Sequence, residues 1–138
     1  MAGVASRKTP VILDSSAIVA IMLAEPGYKT LLDKIGSSAV VAVSSPTVVE
    51  AAMVLSSRLG RDARPELNEF LKHAEAEVTP FTDEHGSLAM DAFLRYGKGR
   101  HPAALNFGDC LAYAAAALSA SPLLFTGKDF SRTDILPA

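Results

Sequence analysis

One cysteine, no long apolar run and no surplus of positive charge: each of these shortages in the 138-residue chain closes off a class of protein. The lone Cys110 excludes an internal disulfide and fits a reducing compartment such as the cytoplasm. Its setting reads as that of a small buried apolar side chain on a helix. No stretch approaches the roughly 18 apolar residues that cross a bilayer, because the longest candidate, 106–126, is broken by Gly108, Asp109 and Pro122. No membrane association is expected. Arg7 and Lys8 precede an apolar segment, but Asp14 interrupts it almost at once, so no export signal is read. The net charge of −2 excludes a protein that grips polyanions by bulk electrostatics. His73, His85 and His101 lie far apart without zinc spacing. Gly97 and Gly99 flank only Lys98, which matches neither a dinucleotide fingerprint nor a P-loop.

What is present is 49% hydrophobic and 20% charged, enough to bury a core in one domain spanning 1–138. Strands are expected at 11–13, 39–43, 78–81 and 123–125, where short apolar runs stand between turn or cap residues. Helices are expected from Ser15 or Ser16 to Ala24, over 27–35, and from Ser44 or Ser45 to Leu59, ending at Gly60. Pro46 falls in that third helix's first turn, where its missing N–H costs nothing. Further helices are expected over 65–76, 82–96 and 107–119, with a glycine-rich, basic loop at 97–106. Strands alternating with helices imply an α/β sandwich around a mainly parallel sheet.

The placement of acids is the strongest signal. Asp14 is the only charged residue between Thr9 and Ala24, Glu50 between Ile35 and Ser57, and Asp109 between Pro102 and Gly127. Each breaks a segment whose apolar character predicts burial. On a helix, Glu50 would neighbour Pro46, Thr47, Met53, Val54 and Ser57, none of them basic. A buried unpaired carboxylate costs several kcal/mol, or takes up a proton. Asp14 as a helix cap, Asp109 as a helix-terminus charge and Glu50 rescued by a distant arginine are the bland alternatives. Asp14 follows a strand of a parallel sheet, where functional groups collect, and Asp109 opens a helix whose dipole favours an anion. Carboxylates meeting there would repel, and a hard divalent cation such as Mg²⁺ or Mn²⁺ would resolve the conflict.

Four stretches, Val11-Ile-Leu-Asp-Ser-Ser-Ala17, Ser45-Pro-Thr-Val-Val-Glu-Ala-Ala52, Gly97-Lys-Gly-Arg-His-Pro-Ala-Ala-Leu-Asn-Phe-Gly-Asp-Cys110 and Leu123-Leu-Phe-Thr-Gly-Lys-Asp-Phe130, resemble the PIN-domain family, and within it the VapC toxin branch. The resemblance implies a PIN-like three-layer α/β/α sandwich and a Mg²⁺-dependent endoribonuclease that hydrolyses RNA with metal-activated water. It also implies a VapB-type antitoxin partner and a homodimer. The family's acidic set falls on Asp14, Glu50 and Asp109, with Asp129 as the fourth and Asp134 as its rival. Lys128 stands where relatives often carry an acidic or polar residue. Ser16 matches a small polar position lining such sites, or is simply a cap.

Arg95, Lys98, Arg100 and His101 are candidates to hold the RNA backbone, if they do not merely form a solvated loop. Arg58, Arg61 and Arg64 read as surface or as an antitoxin contact. Val19, Met22, Leu23, Leu55 and Leu59 read as core, with partner docking as the alternative. Two rivals remain: a catalytically inactive PIN scaffold acting as a binding module, and another carboxylate–metal phosphohydrolase. Receivers need adjacent acids after the first strand and haloacid-type phosphatases need Asp-x-Asp. Here Ser15 and Ser16 follow Asp14.

Overall fold

The computed structural model describes residues 10–138, so Arg7, Lys8 and the start of the expected 1–138 domain lie outside the described residues. The β-branched run at 11–13 and the apolar run ending at Ser44 form the two central strands, β1 (Val11–Leu13) and β2 (Val41–Ser44). The edges are β3 (Glu77–Thr79) and β4 (Leu123–Leu124), in the order β3-β2-β1-β4, and every pairing is parallel. Beyond β4, the amide of Leu123 donates to Leu136 and the amide of Ala138 donates to Leu123, so the C-terminal segment covers that open edge.

Six helices connect the strands among the described residues: α1 (Ser15–Met22), α2 (Tyr28–Gly36), α3 (Ser45–Leu59), α4 (Arg64–His73), α5 (Asp83–Tyr96) and α6 (Phe107–Leu118). Side chains alternate across a strand, and here the alternation builds two cores. Val11, Leu13, Val41 and Val43 face α1, α3 and α4, where they meet Ile18, Ala51, Leu55 and Leu67. Ile12, Ala42 and Leu123 face α5 and α6, where they meet Ala92, Tyr96, Ala112 and Tyr113. The result is the expected three-layer sandwich.

Two capping expectations need correction. The side chain that caps α1 is Asp14, not Ser15 or Ser16: it accepts from the Ser16 amide at 3.1 Å. Ser44 occupies the cap position of α3, but its hydroxyl makes no capping bond. Gly60 ends α3 in the left-handed region at φ 69°, as its position predicts. Cys110 is buried and free, and Val19 and Leu55 are buried core. Among the described residues no helix is long and apolar enough to cross a membrane.

The chain runs from β1 through β2 to β3 in one direction, then returns to place β4 on the other side of β1. The direction of the sheet therefore reverses at β1, and crevices form at the carboxyl ends of strands at such a point. Asp14 stands there.

Candidate active site

Asp14 continues the extended backbone of β1, and its amide donates to Leu124 of β4 at 3.0 Å. The same alternation that sends Ile12 toward α6 carries Asp14 to that side. Only 3% of it is exposed. Its Oδ2 accepts from the Ser16 amide and, at 2.5 Å, from the Ser16 hydroxyl. Its Oδ1 is buried without any hydrogen-bond partner. Burial raises the Asp14 carboxyl from 3.8 to about 6; the Ser16 bonds oppose this, and the charges of Asp109 and Glu50 add to it.

Asp109 is the third residue of α6, in a reciprocal capping arrangement. The Asn106 side chain accepts from the Asp109 amide at 2.9 Å, and Asp109 Oδ2 accepts from the Asn106 amide at 3.0 Å. Its carboxyl is raised by burial first and by the charges of Asp129 and Glu50, against the lowering bond from Asn106. Glu50 reaches the same place from α3. A methyl group built on Gly108 would collide with Glu50 Oε2 and stand 2.7 Å from both Cδ and Oε1. The Glu50 carboxylate therefore lies directly against the first turn of α6.

Four expected acids from four parts of the chain thus share one neighbourhood. Among the described residues, no three Asp, Glu, His or Cys side chains already stand at the spacing of a formed metal cage. Ser16, which is not the cap, links two segments. Its hydroxyl donates to Asp14 and accepts from the Thr126 amide at 3.0 Å, which pins the segment leading to Asp129 onto the start of α1. Asp134, the rival fourth acid, is engaged elsewhere: it accepts from the Tyr113 hydroxyl at 2.7 Å and pairs with Arg95 at 3.5 Å. Burial first, and that contact after it, push the Tyr113 hydroxyl well above its ordinary value.

The basic residues divide. Arg95 is committed to Asp134 and to the Tyr96 hydroxyl. His101 packs edge-on against Tyr96 and accepts from the Ala103 amide, so it shapes the loop. The Arg100 guanidinium lies over the Phe93 ring. Lys98 is exposed beside Asn106 and Phe107 at the start of α6. Arg58, Arg61 and Arg64 each pair with an acid on the surface, Glu25, Glu66 and Asp62 respectively. Sequence reasoning gives Gly108 no role; the available signal is a glycine in a helix's first turn, one residue before the half-buried Asp109.

The PIN domain profile matches residues 11–136, which includes all four acids. The chain belongs to the PIN-domain family. It falls in the VapC branch, being 46% identical over 125 residues to Ribonuclease VapC36 of Mycobacterium tuberculosis, covering 90% of each chain. It is 39% identical to Ribonuclease VapC of Mycolicibacterium smegmatis, covering 90% of this chain and 96% of that one. In fold this PIN domain is similar to the Mycobacterium tuberculosis VapC20 toxin, described as cleaving the sarcin–ricin loop. That match has TM-score 0.74 and 18% identity over 93% of this chain and 98% of that one. VapBC2 from Rickettsia felis, solved with a promoter DNA fragment, matches with TM-score 0.66 and 20% identity over 93% and 96%.

Proposed function

We propose that this PIN domain is a Mg²⁺-dependent endoribonuclease toxin of the VapC type, held in check by a VapB-type antitoxin. The observation that carries the reading is the buried, partnerless Oδ1 of Asp14 among carboxylates from α3, α6 and the segment after β4. A partnerless anionic oxygen is costly inside a protein, and repulsion from Glu50 and Asp109 adds to the cost. A divalent cation with oxygen ligands offsets both, and the void above Gly108 leaves room for the Glu50 carboxylate at such an ion. Asp14, Glu50, Asp109 and Asp129 are the residues that would hold it, and Mn²⁺ suits the same oxygen set. When bound, the ion supplies positive charge to activate water and to steady the phosphoryl oxygens.

The protein's own contribution is orientation. Ser16 fixes Asp14 Oδ2, so Oδ1 is the oxygen that would be left to face an ion. Asn106 fixes Asp109 Oδ2 in the same way. The relatives named ribonucleases, at 46% and 39% identity, support RNA as the substrate. Partner binding and a homodimer rest on the VapC likeness. The inactive-scaffold reading gains nothing from a site in which Glu50 and Asp109 lie close enough to raise the Asp14 carboxyl, and Glu50 and Asp129 the Asp109 carboxyl.

The test is cleavage of total cellular RNA by the purified chain, with Mg²⁺ or with chelator, beside Asp14→Asn. Cleavage by the wild type only, and only with metal, is expected. Equal, metal-independent activity in both proteins would defeat the reading. Co-purified cognate antitoxin should suppress the wild-type activity.

A further inference from the structure

We propose that the cavity between α5 and α6 is a nucleobase subsite, in which Phe107 stacks on a base beside the scissile phosphate and Lys98 meets the adjoining phosphate. The proposal rests on the ribonuclease reading and gives that site a means of choosing its substrate. The cavity has a volume of about 610 Å³; Phe81, Met90 and Phe93 form apolar walls, and Lys98, Asn106 and Phe107 stand around it.

Phe107 is 80% exposed, the most exposed of the large hydrophobic residues described. Its helix does not need it. The apolar contact that fixes a helix's entry joins the residue before the cap to the fourth helical residue. Here those are Leu105 and Cys110, at 0% and 4% exposure. An aromatic ring left in water forgoes the stabilisation of burial, so a ring at this place calls for a ligand to cover it. Phe107 stands at the rim of the cavity and the next residue, Gly108, is the one against which the Glu50 carboxylate lies, so the cavity's rim is one residue along α6 from the acidic centre.

The polar groups at the cavity fit the same ligand. Lys98 forms no salt bridge among the described residues, unlike Arg95. The Asn106 side-chain oxygen is committed to Asp109, which leaves its NH₂ as a spare donor among the described residues. A base of single-stranded RNA offers a flat face for the ring, polar edges for the amide and a phosphate for the ammonium. An apolar protein segment would use the walls but would leave the cation and the amide unmatched.

The chain has no tryptophan, so Phe107→Trp creates a lone fluorescent reporter. It is placed in the Asp14→Asn background with Mg²⁺ and titrated with short oligoribonucleotides. Saturable quenching is expected. By anisotropy of a labelled oligoribonucleotide, Phe107→Ala should weaken binding on the order of ten-fold or more with its melting temperature preserved, and Phe107→Tyr should keep the affinity. In the active protein, Phe107→Ala should raise KM and relax the base preference beside the cut. Wild-type cleavage with affinity and cut pattern unchanged in Phe107→Ala defeats the subsite alone. A change only in oligomeric state, at constant RNA affinity, would make the cavity a protein interface and likewise overturn the proposal. Failure of the wild type to cleave RNA defeats the parent reading, and the subsite with it.

Discussion

Asp14 is both a helix cap and a buried charge, and the two roles can be separated by one atom. Asparagine keeps an oxygen for the Ser16 amide, so the cap survives while the charge goes. Because the folded protein raises the Asp14 carboxyl from 3.8 to about 6, it binds that proton more tightly than the unfolded chain does. The stability associated with this group is complete below about pH 4 and is lost as pH rises through 6, a loss of about 3 kcal/mol. Metal-free Asp14→Asn should therefore melt with the wild type near pH 4 and well above it at pH 7.5. Saturating Mg²⁺ should raise the wild type more than the variant, in which Glu50, Asp109 and Asp129 are left to hold the ion. Thermal melts from pH 4 to 8 decide the matter; identical curves would remove the strained carboxylate from the argument. Gly108 tests the opposite face of the site. Alanine is a better helix former than glycine by about 1 kcal/mol, and the colliding atoms belong to the flexible end of Glu50. Gly108→Ala should thus fold at least as stably while displacing that carboxylate. Mg²⁺ affinity, measured by calorimetry, should fall on the order of ten-fold. Unchanged affinity would show that Glu50 needs no room above α6.

At the scale of elements, strands and helix starts were legible because apolar runs and first-turn residues announce them. Helix ends were less so. The apolar pattern carries α4 to Ala76, but the helix stops at His73 and Glu75 adopts φ 52°. The expected end of α1 at Ala24 fails likewise: the helix closes at Met22 and Ala24 has φ 50°. A reader of sequence looks for glycine at such a place, and neither segment has one. These residues carry the strain that a side chain brings to the left-handed region. Glu75→Gly should relieve it and stabilise the fold by about 0.5–1 kcal/mol, net of the extra freedom glycine gives the unfolded chain. Urea unfolding would show it, and a destabilised variant would mean that the Glu75 side chain contributes more than its backbone costs. The acids themselves were visible, because charge interrupts long apolar stretches only at Asp14, Glu50 and Asp109. Their neighbours were not. That Arg95 belongs to Asp134, or that Ser16 joins Asp14 to Thr126 across 110 positions, depends on tertiary approach that no local pattern carries.

The molecule as a whole is acidic by two charges, yet the proposed substrate is a polyanion. Its basic residues do not form one continuous field. Arg58, Arg61, Arg64 and Arg95 each have an acidic partner, which leaves Lys98 and Arg100 as the cations nearest the start of α6 without one among the described residues. Affinity for RNA must then come mainly from the cation held by the carboxylates and from base contacts, with few phosphate contacts to release counter-ions. For single strands the logarithm of the binding constant falls with the logarithm of salt at about 0.7 per phosphate contact, so two or three contacts give a slope of about −2 or shallower. Anisotropy titrations of Asp14→Asn with a labelled oligoribonucleotide, at fixed Mg²⁺ and varied KCl, measure that slope. Lys98→Ala should flatten it by about 0.7, the share of one contact, while Arg61→Ala should leave it alone. A slope as steep as that of a protein with six or more phosphate contacts would require a broad basic surface. The paired arginines of α3 and α4 would then have to release their acids to bind RNA.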